Sequence, residues 1–225
     1  MSPVKEVAMR FYLSSYRLGN EPEKLVALFS DNKSIGYIPN ALDFTQADPQ
    51  RRKEHIAKDI AGLREIGLAP MLLDLRSYFG NQEALKNAIK TLGGLWISGG
   101  NVFVLRQAMK LCGLDNILIR GETPHAFVYA GYSAAGCVLS SDLKGYSVYS
   151  AMASDVTDLP YAEQKETIWE GLNVIPFFFM PHYDSLVHPQ SEEIQKGLAY
   201  YEDHGIPYKA LRDGEAIVIA EQNFT

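Results

Sequence analysis

Apolar and polar positions alternate along the first half of the chain with two different periods. Short apolar runs that end at a polar or turn residue indicate strands, and longer amphipathic stretches indicate helices. The predicted strands are Ala8–Ser14, Ser34–Pro39, Pro70–Asp74, Gly94–Ser98 and Ala126–Ala130. The predicted helices are Pro22–Phe29, Arg51–Ile66, Gln82–Thr91 and Val102–Lys110. This alternation predicts an α/β fold with a doubly wound, mostly parallel sheet and helices on both faces.

The pattern changes after Gly136. Tyr146–Met152 has an extended pattern, and the apolar run Val174–Met180 predicts a buried strand. Glu192–His204 has helical spacing, and Asp213-Gly214 between two apolar segments predicts a hairpin turn. Because no repeat or linker interrupts the chain, we predict one α/β domain over residues 1–225.

The composition excludes several classes of protein. The chain has 225 residues, of which 47% are hydrophobic, so it can bury a sizeable core. Its net charge of −6 argues against a nucleic-acid partner, which selects for a basic face. The two cysteines, Cys112 and Cys137, form neither a disulfide framework nor a metal-ligand spacing. We therefore expect no metal and no cofactor.

The N-terminal segment does not have the pattern of a secretory signal. Its apolar run is broken by Arg10, and no small-residue cleavage site follows it. No stretch of the chain approaches the roughly 20 apolar residues of a membrane span. We therefore predict a cytoplasmic protein with no membrane partner.

The strand-to-helix loops are the first places to look for a site, because ligands bind at the carboxyl ends of parallel strands. In Gly131–Gly136, small residues surround Ser133 directly after a predicted strand. This pattern is typical of a nucleophile elbow, although Ala135 stands where the usual G-x-S-x-G pattern has glycine. A plain strand–turn–helix packed with small residues explains the segment equally well.

A second loop, Ser98–Asn101, follows another predicted strand. Gly99 and Gly100 expose backbone N–H groups, as an oxyanion hole requires, and Asn101 can cap the next helix. A tight turn chosen for packing alone is the alternative.

His182 follows the apolar run that ends at Met180, so it is expected at a strand end. A histidine there can accept the proton of a serine. His55 and His204 lie in charged helical stretches, and His125 and His188 lie in loops, so they are less well placed.

Sequence spacing alone does not identify the carboxylate that pairs with His182. Asp155 and Asp158 lie between the serine and His182, Asp142 lies nearer the serine, and Asp184 is very close to His182 in sequence. Each of these is also readily explained as a solvated loop charge.

Four blocks together resemble the S51 serine peptidases, the aspartyl dipeptidase family, with cyanophycinase as a relative. In chain order they are FYLSS, GLWISGGNVFVLRQAM, YAGYSAAG and GLNVIPFFFMPHY. The triplet Asp158-Leu159-Pro160 also matches the aspartate, hydrophobic residue and proline that are typical of the family. The resemblance covers the chain from about Phe11 to its C-terminus.

The resemblance implies a flavodoxin-like sheet related to class I glutamine amidotransferases, which have cysteine where this chain has Ser133. It implies hydrolysis of short peptides with an N-terminal acidic residue. Ser133 would be the nucleophile, His182 the base and Asp158 the orienting carboxylate. The amides of Gly100 and Ala134 would form the oxyanion hole.

The chain departs from the family pattern at two positions. Ala135 replaces the glycine of S-A-G, and Ser98 replaces the first of three glycines. A methyl group at position 135 could shift the nucleophile elbow. One alternative is therefore a protein that keeps the fold and lacks the activity.

Other functions also remain open. An esterase or acyl hydrolase of α/β-hydrolase type has the same order of serine, acid and histidine, and a non-catalytic binding protein could use the same scaffold. Arg17 and Arg76 are candidates to bind an acidic side chain of a substrate. The pattern does not decide the oligomeric state, and a homodimer stays an open expectation.

Overall fold

A computed structural model of the chain describes residues 8–149, 153–186 and 191–223. In chain order, the strands of this part of the chain are β1 (Ala8–Ser14), β2 (Ser34–Ile38), β3 (Ala69–Leu72), β4 (Gly94–Ile97), β5 (Val128–Tyr132), β6 (Phe178–Met180), β7 (Tyr208–Ala210) and β8 (Ala216–Asn223). The helices are α1 (Pro22–Leu28), α2 (Pro49–Glu65), α3 (Gln82–Ile89), α4 (Val102–Cys112), α5 (Leu114–Ile119), α6 (Ala134–Cys137), α7 (Lys144–Tyr149), α8 (Ala153–Thr157) and α9 (Ser191–Asp203). Short 3₁₀ turns cover Asn40–Leu42 and Leu75–Tyr78.

The main sheet has six strands in the order β3-β2-β4-β5-β1-β8. The first five are mutually parallel, and β8 runs antiparallel to β1 at one edge. A second, smaller sheet pairs β6 and β7 in parallel. The predicted mostly parallel α/β sheet is therefore confirmed.

Both faces of the main sheet are covered. In β4, Leu95 and Ile97 belong to one hydrophobic cluster, and Trp96 belongs to the cluster on the opposite face. In β1, Phe11 and Tyr12 divide between the two clusters in the same way. Successive side chains of a strand point to opposite faces, so a strand covered on both sides is apolar throughout. This is why these strands appear in the sequence as short continuous apolar runs.

The helices after β2 and β4 begin at side-chain caps. The Asp48 carboxylate accepts a hydrogen bond of 2.7 Å from the Arg51 amide, and Pro49 occupies the first helical turn of α2. The Asn101 side chain accepts from the Phe103 amide at 2.8 Å, which fixes the start of α4. The predicted helices in this half of the chain are confirmed to within a few residues. None of the helices in the described ranges is long and apolar enough to span a bilayer.

Three predictions for the second half need correction. The segment predicted to be extended, Tyr146–Met152, begins inside α7, and residues 150–152 lie outside the described ranges. The Asp142 carboxylate accepts from the Lys144 amide at 2.9 Å, just where this helix starts. Of the apolar run Val174–Met180, only the last three residues form a strand.

The hairpin predicted at Asp213-Gly214 is also wrong. The turn exists, because the Glu215 amide donates to the Arg212 carbonyl at 3.0 Å. The strands on its two sides belong to different sheets, since β7 pairs with β6 and β8 pairs with β1. The turn therefore connects the two sheets, and it lies beside the carboxyl end of β1, where Ser14 pairs with Ala216.

Candidate active site

Ser133 occupies the sharp turn between β5 and α6. Its backbone has φ 50° and ψ −107°, a conformation that L-residues rarely adopt and that costs about 1–3 kcal/mol. The turn is held from both sides: the Ser133 amide donates to the Ser14 carbonyl at 3.1 Å, and the Gly136 amide donates to the Ser133 carbonyl at 2.9 Å. The predicted strand–turn–helix around this serine is present.

The methyl group of Ala135 fits this turn. Ala135 is fully buried, and its carbonyl accepts a hydrogen bond of 2.8 Å from the Tyr129 hydroxyl. It packs against Gly131, where a Cβ would lie 2.6 Å from the Ala135 Cβ and 2.3 Å from the Ile97 carbonyl oxygen. The turn therefore needs glycine at position 131 and accommodates alanine at position 135.

His182 reaches Ser133 from the end of β6. The distance from His182 Nε2 to Ser133 Oγ is 3.1 Å, and the imidazole is almost fully buried. The backbone has φ 60°, and the His182 amide donates to Ser15 Oγ at 2.8 Å. The structure therefore brings together the serine and the histidine that the sequence singled out.

The carboxylate that contacts His182 is Asp213. Its Oδ1 lies 2.7 Å from His182 Nδ1 and accepts from the Ser15 hydroxyl at 2.9 Å. Its Oδ2 accepts from the Ser185 hydroxyl at 2.7 Å. Three hydrogen bonds thus fix the orientation of this carboxylate against the imidazole.

Asp158 does not lie on the imidazole, so its predicted contact with His182 is wrong. Its carboxylate accepts from the Thr45 amide at 2.8 Å and from the Thr45 hydroxyl. The Asp158 carbonyl accepts from the Gln107 side chain at 2.7 Å, which holds this segment against α4. The two ring nitrogens of His182 contact Asp213 and Ser133 instead.

In the sequence, the pair Asp213-Gly214 indicates a turn and gives no sign that Asp213 contacts His182. The acids considered from spacing were Asp142, Asp155, Asp158 and Asp184, whereas Asp213 lies 31 residues after His182. Its turn reaches the site because β8 returns beside β1, whose carboxyl end carries Ser15. Long-range pairing of this kind has no local signature.

The environment shifts the pKa values of both partners. Burial lowers the pKa of His182 below its ordinary value, and the hydrogen bond and charge of Asp213 oppose this shift. Burial raises the pKa of Asp213, but the hydrogen bonds from Ser185 and His182 outweigh it, so that the pKa lies below the usual aspartate value. Near neutral pH, His182 is therefore uncharged and Asp213 ionised.

Ser133 and His182 open into a cavity of about 280 Å³ that Gly100 and Ala134 also line. A Cβ at Gly100 would lie 2.3 Å from the Ala41 carbonyl oxygen, so only glycine fits this loop. Among the described residues, no acceptor for the backbone amides of Gly100 and Ala134 is found. Both amides are thus available to a ligand in the cavity.

Comparison with known proteins identifies the family. The model of "Peptidase family S51" matches residues 15–225. The chain belongs to peptidase family S51. It is therefore a serine-type peptidase and a hydrolase.

Two relatives and one solved structure are similar to the chain over most of its length. The chain is 26% identical to a Peptidase E of Shewanella denitrificans over 189 residues, which cover 79% of this chain and 68% of the relative. It is also 26% identical to an uncharacterized peptidase of Listeria innocua over 193 residues, which cover 84% and 82% of the two chains. A crystal structure of a putative peptidase E from Listeria monocytogenes EGD-e has the same fold, with TM-score 0.66, 20% identity and coverage of 95% and 98%.

One further side chain of this S51 peptidase lines the cavity and was passed over in the sequence. His55, on α2, stacks on the ring of Tyr132 with an interplanar angle of 3° and contacts the Tyr132 hydroxyl. That hydroxyl donates to the buried Asp59 carboxylate at 2.9 Å. Burial lowers the pKa of His55. The charged residues around His55 made it resemble an ordinary exposed helix position.

The two arginines proposed to bind an acidic substrate lie elsewhere. Arg17 forms an ion pair with Asp59, and Arg76 forms ion pairs with Asp74 and Asp43. Neither arginine lines the cavity at Ser133.

Proposed function

We propose that this S51 chain hydrolyses short peptides through an acyl-enzyme, with Ser133 as nucleophile, His182 as general base and Asp213 as the carboxylate that orients the imidazole. The observation that carries the proposal is the continuous chain of hydrogen bonds from Asp213 through His182 to Ser133. A hydroxyl, an imidazole and a carboxylate in this order are the parts that nucleophilic acyl transfer needs.

In this proposal the three groups form a proton path. His182 Nε2 accepts the proton of Ser133 as Oγ attacks the peptide carbonyl, and the same nitrogen then protonates the leaving amine. Asp213 keeps the remaining ring proton on Nδ1 and stabilises the imidazolium. Water then attacks the acyl-enzyme by the same path and releases the acid.

The amides of Gly100 and Ala134 supply the oxyanion hole in this proposal. They line the cavity beside Ser133 and have no acceptor among the described residues. Fixed backbone donors stabilise the charge that develops on the carbonyl oxygen, because they need no reorganisation during the reaction.

The size of the cavity favours short substrates. Its volume of about 280 Å³ lies just below the range of small-ligand sites, which is roughly 300–1,000 Å³. The acidic first residue that the family resemblance implied is not included in the proposal, since Arg17 and Arg76 are engaged elsewhere. A cytoplasmic location, a single domain and a homodimer stay predictions.

A fluorophosphonate probe and a dipeptide panel test the proposal. Wild type should be labelled once and should cleave dipeptides, whereas Ser133→Ala should lose labelling and at least ~10³-fold of turnover. Ser30→Ala, at an exposed serine that does not line the cavity, is the matched control and should behave as wild type. Turnover of simple esters without any dipeptide cleavage would favour an acyl hydrolase, and full activity of pure Ser133→Ala would refute the mechanism.

A further inference from the structure

The residue directly before the nucleophile, Tyr132, is tied to a helix by its side chain. Tyr132 is only 2% exposed, and its hydroxyl donates to Asp59 Oδ2 at 2.9 Å. Burial raises the pKa of Tyr132 well above its ordinary value, so the hydroxyl keeps the proton that it donates. Because Asp59 lies on α2, this hydrogen bond links the end of β5 to α2.

The Asp59 carboxylate is itself held from several sides. Its side chain is 2% exposed, and Arg17 Nη1 lies 2.5 Å from its Oδ1. The Tyr37 hydroxyl donates to the same Oδ2 that accepts from Tyr132, at 3.0 Å. A buried carboxylate stays charged only where a cation and hydrogen bonds compensate for lost hydration, and these contacts supply both. The acceptor of the Tyr132 hydroxyl therefore has a fixed position.

Several parts of the proposed active site rest on the ring of Tyr132. Ser133 follows it in the chain, at the turn with the strained backbone. A Cβ at Gly99 would lie 2.6 Å from Tyr132 Cε2, so the loop after β4 packs directly on the ring. Tyr16 lies edge-on to Tyr132 with ring centroids 6.0 Å apart, and edge-on to His182 at 6.1 Å. A displacement of this ring would therefore disturb the nucleophile, the loop and the base together.

The same hydroxyl determines which nitrogen of His55 carries a proton. A hydroxyl has one proton, and Tyr132 gives it to Asp59, so in the contact with His55 Nε2 its oxygen is the acceptor. Uncharged His55 is therefore protonated on Nε2. Because His55 lines the cavity, the Tyr132 hydroxyl connects a cavity wall to the buried carboxylate.

From these contacts we infer that Asp59 is a positioning residue for hydrolysis: through the Tyr132 hydroxyl it fixes the ring that supports the Ser133 turn and the loop after β4. The inference rests on the proposed function. Asp59 is not among the described residues that line the cavity beside Ser133, so it acts through Tyr132. Misplacement of reacting groups by about 1 Å can cost about 10²-fold in rate. Loss of this hydrogen bond should therefore lower kcat more than it changes KM.

Tyr132→Phe tests the inference, because it removes the hydroxyl and keeps the ring. We expect kcat for a dipeptide to fall by ~10-fold, with KM within ~2-fold of wild type. The rate constant for fluorophosphonate labelling of Ser133 should fall by a similar factor. Labelling reports the placement of the nucleophile without depending on the choice of peptide.

Tyr37→Phe is the matched control, because it removes the other hydroxyl from the same oxygen of Asp59. Tyr37 is equally buried, but it lies on β2, which β4 separates from β5. Each variant loses one buried hydrogen bond to a carboxylate, so both should shift the urea midpoint by a similar amount. Tyr37→Phe should keep kcat and the labelling rate within ~2-fold of wild type. An equal loss of kcat in the two variants would show a structural role alone and overturn the inference.

A double variant tests whether Asp59 acts through Tyr132. In Asp59→Asn the amide oxygen is attracted to Arg17, so the NH₂ group faces the hydroxyls and kcat should fall by at least ~5-fold. Asp59→Asn combined with Tyr132→Phe should have a kcat within ~2-fold of Tyr132→Phe alone, because both changes affect one hydrogen bond. Additive losses would contradict this route. If Asp59→Asn does not fold, the two tyrosine variants decide the question.

The proposed function and this inference fail in different ways. Activity that persists in Ser133→Ala contradicts the mechanism itself. A Tyr132→Phe protein with the wild-type kcat and the wild-type labelling rate keeps the mechanism and contradicts only the role of Asp59.

Discussion

At the scale of single residues, the site depends on a hydroxyl that the sequence pattern did not select. Ser15 accepts a hydrogen bond from the His182 amide and donates one to Asp213 Oδ1. It therefore fixes His182 and Asp213 relative to one another. Ser185 holds the other oxygen of the same carboxylate. The orientation of the imidazole is thus determined by groups from three separate segments of the chain.

Replacing each carboxylate in turn should show whether Asp213 or Asp158 orients His182. We expect Asp213→Asn to lower kcat by ~10²–10⁴-fold, because an amide at this position favours the wrong imidazole tautomer. Asp158→Asn should keep kcat within ~3-fold of wild type, since its carboxylate contacts Thr45. Steady-state kinetics on one dipeptide measures both. A greater loss in the Asp158 variant would return the role to that residue.

The pH profile should reflect the buried histidine. A base must be uncharged to accept a proton, and burial lowers the pKa of His182 below the ordinary value near 6.5. The rise of kcat/KM with pH should therefore reach half of its plateau below pH ~6.5. In Asp213→Asn the carboxylate that opposes this shift is absent, so the midpoint should move further down. A wild-type midpoint above pH 7 would contradict this assignment.

At the scale of secondary-structure elements, the loops after β4 and β5 form one side of the site, and the segment after β6 forms the other. The β4 and β5 loops are fixed by close packing: Gly100 lies against Ala41, and Gly131 lies against Ala135. The turn at Ser133 therefore keeps its strained conformation through contacts on both sides.

Substitution at position 135 tests this account of the turn. Ala135→Gly should lower the free energy of unfolding by about 0.5–1 kcal/mol, because glycine is less favourable in a helix and a buried methyl is lost. Activity should stay within ~3-fold of wild type, since Ala135 does not line the cavity. Urea denaturation and dipeptide kinetics measure the two effects. An activity gain above ~10-fold would show that the methyl restricts the elbow.

The sequence predicted the first half of the fold well because its information is local. Strands such as β4 are short apolar runs, and helices such as α4 begin at a recognisable cap, Asn101. Ser133 and His182 were found for the same reason, as polar residues directly after apolar runs. Asp213 was not, because its place depends on β8 pairing beside β1. The helix at Lys144–Tyr149 was missed because its aromatic and β-branched residues favour strands in isolation.

At the scale of the whole molecule, the proposed catalytic groups come from both sheets. Ser133 follows a strand of the main sheet, His182 follows a strand of the small sheet, and Asp213 lies on the connection between them. The site is therefore complete only when the two sheets are packed together.

Chemical denaturation should show this dependence. We expect dipeptide hydrolysis and the native fluorescence of the two tryptophans, Trp96 and Trp169, to be lost at the same urea concentration, because the sheets share one hydrophobic cluster that includes Phe179 and Leu95. Both signals can be followed on the same samples. If activity is lost at a clearly lower urea concentration than the fluorescence, the small sheet unfolds separately. That result would contradict the prediction of one shared transition.

The turn that carries Asp213 also has an evolutionary consequence. Asp213 lies near the surface, with its side chain 26% exposed, whereas the side chain of His182 is only 7% exposed. Lineages can exchange such a turn, or alter its length, without redesigning the interior. We therefore expect Ser133 and His182 to change less among relatives than Asp213 does, both in position and in residue type. A sequence alignment anchored on the serine will then misplace the acid.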